Sequence, residues 1–111
     1  MFEKDVKELS LLLDFYGELL SERKQSVLAL YYNEDFSLAE IADEIGISRQ
    51  GARDLIKKAE EELRHFEETL GLVERFEEAK RRIAAIRRMS EEKDLPESLT
   101  HEIEALAELF K

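Results

Sequence analysis

Cysteine and tryptophan are missing from this 111-residue chain, proline occurs once and glycine four times. Without cysteine there is no disulfide framework, no thiolate nucleophile and no thiolate metal site. So few proline and glycine residues leave little material for the tight turns of a sandwich or barrel. Apolar runs such as Leu11–Leu13 fall far short of the roughly 20 residues that span a bilayer. The N-terminus is charged from Glu3 onward and lacks the apolar core of a signal peptide. Together these absences point to a cytoplasmic protein that does not insert into a membrane. The length suits a single domain over residues 1–111 with one modest core.

What is present is charge. Charged residues make up 40% of the chain and apolar residues 43%, a balance typical of helix-rich proteins. Twenty-seven acidic side chains outweigh 17 basic ones, for a net charge of −10. The imbalance is uneven. Residues 1–20 carry net −3, residues 72–90 carry net +3 through Arg75, Lys80, Arg81, Arg82, Arg87 and Arg88, and residues 91–111 carry net −5. A basic middle between acidic ends suits RNA, DNA or an acidic partner, or a neutralising surface inside a dimer.

The chain reads as all-α. Val6, Leu9, Leu13, Tyr16 and Leu20 recur at 3-4-3-4 spacing, which predicts a first helix over Lys4–Leu20. Leu12, Phe15 and Leu19 widen its stripe, as in a core helix or one that also meets a second subunit. Ser21 is placed to cap a second helix bearing Val27, Leu28, Leu30 and Tyr31, followed by a loop over Asn33–Phe36. Leu72, Phe76, Ala79, Ile83 and Ile86 repeat at 4-3-4-3, a seam suited to antiparallel packing. Pro96 favours the first turn of a last helix carrying Leu99, Ile103, Leu106 and Phe110. These two C-terminal helices form an extension over 72–111, and a homodimer would use their apolar faces directly.

Ser37–Ala59, SLAEIADEIGISRQGARDLIKKA, has the layout of a helix-turn-helix. Ser37 with Glu40 makes a capping box for a helix over Leu38–Glu44. Gly46 supplies a left-handed residue at its end, Ile47 plugs the corner, and Ser48 caps the next helix. Ala42 is small enough for close approach, and Ala52, Leu55 and Ile56 face inward. Arg49, Gln50, Arg53 and Lys57 are left to project outward from the second helix. Arg bonds a guanine edge and Gln an adenine edge in two-hydrogen fashion; Lys57 and Lys58 suit phosphate. Lys80, Arg81, Arg82, Arg87 and Arg88 form a second candidate nucleic-acid surface. Taken alone, the motif describes a sequence-specific DNA-binding transcriptional regulator.

Nothing in the sequence describes an enzyme. His65 and His101 have no second ligand at metal spacing, no glycine-rich phosphate loop occurs, and no serine has a matching His–Asp arrangement. The acidic runs Glu60–Glu62 and Glu91–Glu92 read as solvated faces. No metal or cofactor is called for.

From Leu20 to His65 the chain resembles region 4 of bacterial sigma factors, through LSERKQSVLALYY, SLAEIADEIGISR and RDLIKKAEEELRH. In such factors the outward residues of the second helix contact promoter bases. The matching positions are Arg49, Gln50, Gly51, Arg53 and Asp54, where Gln50 replaces a usual Glu, Gly51 a usual Arg and Asp54 a usual Gln. A wider resemblance, through DFYGELLSERKQ, LYYNEDFSLAEIA, SRQG and the later LGL, is to the small YlxM family of Gram-positive bacteria. Departures follow Gly51, at Ala52, Arg53, Leu55 and Lys58. The resemblance implies a sigma-type fold without the rest of a sigma factor. It also implies an accessory or regulatory role beside the signal recognition particle, with the particle RNA, its GTPase, or both as partners.

Overall fold

In the computed structural model, which describes residues 6–110, every regular element is helical. Helix α1 covers Val6–Tyr16 and runs into a 3-10 turn at Gly17–Leu19; α2 covers Glu22–Leu28 and runs into a π-helical turn at Ala29–Asn33. Then come α3 (Leu38–Ile45), α4 (Arg49–Leu70), α5 (Leu72–Glu92) and α6 (Glu97–Leu109). The all-α class and the helix-turn-helix are as expected from the sequence. Backbone contacts divide the chain into two compact units, residues 1–71 and 72–111.

The first unit is organised around α4. Ala52, Ile56, Ala59 and Leu63 follow one another at 4-3-4 spacing and are all fully buried. Helices α1, α2 and α3 all pack on α4. They bring Leu9, Leu12, Leu13 and Tyr16 from α1, Val27 and Leu28 from α2, and Ile41 and Ala42 from α3 into the core. The two alanines on the seam keep the helices close, and each larger buried side chain contributes roughly 1.5–3 kcal/mol.

Polar latches tie the middle and end of α4 to the segments before it. The Tyr32 hydroxyl donates to the Glu60 carboxylate, and both residues are buried. Lys24 pairs with Glu62 at 2.5 Å, the Tyr16 hydroxyl donates to Glu67 at 2.5 Å, and Arg64 lies 3.5 Å from Glu8. Glu60 is therefore not part of the solvated face that the acidic run suggests, while Glu62 is half-exposed and paired with Lys24. Glu60 is only 5% exposed. Burial pushes its pKa above the usual carboxylate range, against the opposing pull of the Tyr32 hydrogen bond and the Arg64 charge. Burial, reinforced by the Glu60 carboxylate, likewise raises the Tyr32 phenol, which keeps its proton and remains the donor.

Two features differ from the sequence expectation and one lies beyond the described residues. The expected start of the first helix at Lys4 lies outside the described residues. Its α-helical part ends at Tyr16 rather than Leu20, and the chain tightens at Gly17, a weak helix former. Gly17 is itself buried, and a Cβ there would stand 3.1 Å from Leu13 Cδ1. Leu9, Leu12, Leu13, Tyr16 and Leu20 are buried while Val6 and Leu19 stay exposed, so α1 is a core helix. The π-helical turn occupies residues expected to continue an ordinary helix. After it Asp35 takes a left-handed backbone (φ 56°), which Asp tolerates better than most side chains.

The second unit is an antiparallel hairpin of α5 and α6. The Phe76 and Phe110 rings meet at a tilt with centroids 5.7 Å apart, Arg87 forks onto Glu104 at 2.9 and 3.2 Å, and Ile83 and Ile103 are its buried residues. Of the expected α5 seam only Ile83 is buried; Leu72 and Ile86 remain exposed. Pro96 stands at the cap of α6, one residue before its first turn, and its carbonyl accepts from Leu99 and Thr100.

Two consequences are measurable. Gly46 holds φ +75° with nothing within 4 Å of a built Cβ, so Gly46→Ala is a pure backbone penalty. It is expected to cost about 1–2 kcal/mol in urea unfolding. For Glu60, a folded-state pKa above the unfolded value means the native state holds the proton more tightly. Its contribution to stability is therefore lost as pH rises from the ordinary carboxylate range upward. Glu60→Gln keeps an acceptor for Tyr32 and removes the titration. The stability of this variant relative to the parent should grow between about pH 4 and pH 7, read as urea midpoints across that range.

Candidate nucleic-acid interface

The helix-turn-helix is built locally as its residue types require. The Ser37 hydroxyl accepts from the Glu40 amide at 3.1 Å, and Glu40 Oε1 accepts from the Ser37 amide at 2.9 Å, which closes the capping box. These bonds hold the Glu40 carboxyl below its ordinary pKa. Helix α3 ends at Gly46 in a left-handed conformation, with the amides of Gly46 and Ile47 both donating to the Ala42 carbonyl. Ser48 then starts α4, its hydroxyl accepting from the Gly51 amide at 2.9 Å. A Cβ on residue 51 would stand 3.1 Å from that hydroxyl, so glycine gives the cap room. Ile47 is half-buried at the corner between the helices.

The structure brings one set of candidate residues together on α4. Arg49, Gln50, Arg53 and Lys57 are all exposed. At 100° per residue they share about 100° of arc, on a different side from the buried seam. Lys58, also exposed, lies further round the helix. The Gln50 side-chain amide donates to Asp54 at 2.9 Å, so the adenine-reading group is engaged by its own helix. Of the inward residues, Ala52 and Ile56 are fully buried and Leu55 half-buried.

The other candidate set stands on α5, in the second unit. Lys80, Arg81, Arg82, Arg87 and Arg88 are exposed. Arg81 and Arg82 both bind Glu78, at 2.5 and 2.8 Å, and lower its pKa. Lys80 lies over the Phe76 ring at 5.3 Å, and Arg87 is held by Glu104. Glu78 is already counted in the net +3 of residues 72–90, and Glu104 of α6 offsets one further charge of that cluster.

Sequence reasoning did not single out the charge of α3. Its eight residues, LAEIADEI, include Glu40, Asp43 and Glu44 and no Lys or Arg, and all three acids are exposed. In a helix-turn-helix on duplex DNA the first helix crosses the phosphate backbone. Across Ser37–Ala59 four acids balance Arg49, Arg53, Lys57 and Lys58 to net zero. The signal was present in the letters, but it acquires weight only once α3 is known to expose all three.

Among the described residues no group of His, Asp or Glu is placed to hold a metal ion, and His65 and His101 are both exposed. No described helix is long and apolar enough to cross a membrane.

A family model described as "Putative helix-turn-helix protein, YlxM / p13 like" matches residues 3–105. A UPF0122 protein of Bacillus cereus is 39% identical over 110 residues, covering 98% of this chain and 99% of the relative. One from Desulforamulus reducens is 42% identical over 83 residues, 75% of this chain and 71% of the relative. One from Symbiobacterium thermophilum is 53% identical over 70 residues, 63% of this chain and 65% of the relative.

The charge of α3 sets a direct expectation. The double substitution Asp43→Lys with Glu44→Lys should raise affinity for random duplex DNA at least several-fold. It should also steepen the log–log salt dependence by up to about 2, near 0.9 for each phosphate newly contacted. Fluorescence anisotropy between 50 and 200 mM salt, roughly the range where such slopes are resolved, measures both.

Proposed function

The chain belongs to the YlxM/p13-like helix-turn-helix family, UPF0122, and from that premise we propose that it is an accessory or regulatory protein of the signal recognition particle. It works in the cytoplasm as a binding protein without catalysis. Its helix-turn-helix docks the particle RNA, the particle GTPase, or both, rather than reading a promoter.

The observation that carries this reading is the charge of the motif. A duplex reader gains most of its affinity from phosphate neutralisation. Here the backbone-facing helix α3 exposes three carboxylates and no cation. The reading helix has its Gln50 amide bonded to Asp54. A mixed-charge face of this kind complements a protein surface, or an RNA recognised at a few points, better than a continuous duplex backbone. The resemblance to the YlxM family supplies the identity of the partner. A DNA-binding regulator is the second reading. It is favoured by the row Arg49, Gln50, Arg53 and Lys57, which stands exposed on one side of α4.

Titration of the whole chain against particle RNA, the GTPase and random duplex DNA at several salt concentrations separates the two. The proposal expects binding to the RNA or the GTPase that survives about 0.15 M salt while duplex binding does not. Binding to duplex DNA alone, with a steep salt slope, overturns it. If the GTPase binds and neither nucleic acid does, the motif is a protein-docking scaffold; Arg53→Ala is then expected to leave that affinity unchanged, and a large loss would contradict that version.

A further inference from the structure

The α5–α6 hairpin buries little for its length. Its 21- and 13-residue helices have Ile83 and Ile103 as their buried residues, while Ile86, Leu99 and Leu106 stay 41%, 46% and 40% exposed. Helices of this size gain most of their stability from packing an apolar face.

The exposed Ile86, Leu99 and Leu106 share one face, which the half-buried Ala79 extends on α5. Ala79 and Ile86 stand four before and three after the buried Ile83. Leu99 and Leu106 stand four before and three after the buried Ile103. The two stripes are therefore turned from their buried residues by the same angle in the same sense. The pairs Phe76–Phe110 and Arg87–Glu104 make the helices antiparallel. Equal rotation on antiparallel neighbours brings both stripes to the same broad side of the hairpin.

The flanks of that side differ in sign. On α5 the stripe is bordered by Arg75 and Arg82; α6 contains four Glu and no Lys or Arg, with Glu102 beside its stripe. We propose that this face binds a second copy of the chain, so that two hairpins form an antiparallel four-helix arrangement with α5 of each copy on α6 of the other. A two-fold axis parallel to the helices generates that pairing. It sets the arginine flank of one copy against the Glu102 flank of its partner. The alternative two-fold axis lays α5 on α5 and opposes like charges. Helices about 10 Å wide and about 20 and 30 Å long offer on the order of 500 Å² per copy. The total of about 1,000 Å² is the lower bound of a specific interface. The dimer is accordingly weak, with a dissociation constant on the order of 10 micromolar.

Sedimentation equilibrium of the full chain, over roughly 1–300 micromolar to bracket that constant, tests the proposal. The parent is expected to show a monomer–dimer equilibrium. Ile86→Glu and Leu106→Glu should each weaken it at least tenfold with far-ultraviolet circular dichroism unchanged. Arg82→Glu should weaken it several-fold, and adding Glu102→Arg to that variant should restore it. A parent that stays monomeric throughout the range overturns the proposal, as does a dimer indifferent to Ile86→Glu and Leu106→Glu. Failure of the double charge exchange to restore association overturns the pairing of α5 with α6, and with it the proposal.

Discussion

Everything in the first unit depends on one buried seam. Ala52, Ile56, Ala59 and Leu63 of α4 are the surface on which α1, α2 and α3 pack. The same helix carries Arg49, Gln50, Arg53 and Lys57 on another side. The core helix and the reading helix are thus one element, so the outward residues are displayed on a support as rigid as the core itself. The latch from Tyr32 to Glu60 belongs to this arrangement. It places a carboxylate inside the core at some energetic cost, and it fixes where the π-helical turn meets α4.

That construction separates frame from surface. The caps at Ser37 and Ser48, the left-handed Gly46 and the inward Ala42, Ala52 and Ile56 set the angle between α3 and α4. None of them points at a partner. Outward positions are free to change without disturbing the angle, and here they carry Asp43, Glu44 and Asp54 among the cations. The frame of a duplex reader is complete, and the surface that would meet phosphate is neutral over the motif as a whole. This is the physical sense in which, under the proposed function, a helix-turn-helix frame serves a partner other than duplex DNA.

The letters disclosed the parts whose energetics are local. Ser37, Glu40, Gly46 and Ser48 act on their own backbone within four residues, and the helix-turn-helix was legible to within a residue at each end. Pro96 marked a real end for the same reason, although it stands at the cap rather than inside the first turn. What was not legible depends on partners distant in sequence. Glu60 looks like a solvent-facing acid until Tyr32 is brought beside it, and the pairing of Glu62 with Lys24 is equally out of reach of the letters. The tightening at Gly17 and the π-helical turn after Leu28 answer to core packing rather than to propensity. On α5 the candidate basic cluster at Lys80–Arg88 is exposed, but Glu78 sits within four residues of Arg81 and Arg82, and Glu104 arrives from α6.

Under the proposed function the helix-turn-helix frame persists while its phosphate-binding surface does not. The slope of log affinity against log salt for random duplex DNA measures that surface directly, because it counts the phosphates neutralised. A neutral motif predicts a slope shallower than about −2, corresponding to two phosphates or fewer. A slope of about −5 or steeper, with tight binding at low salt, would contradict the account and return the helix-turn-helix to DNA.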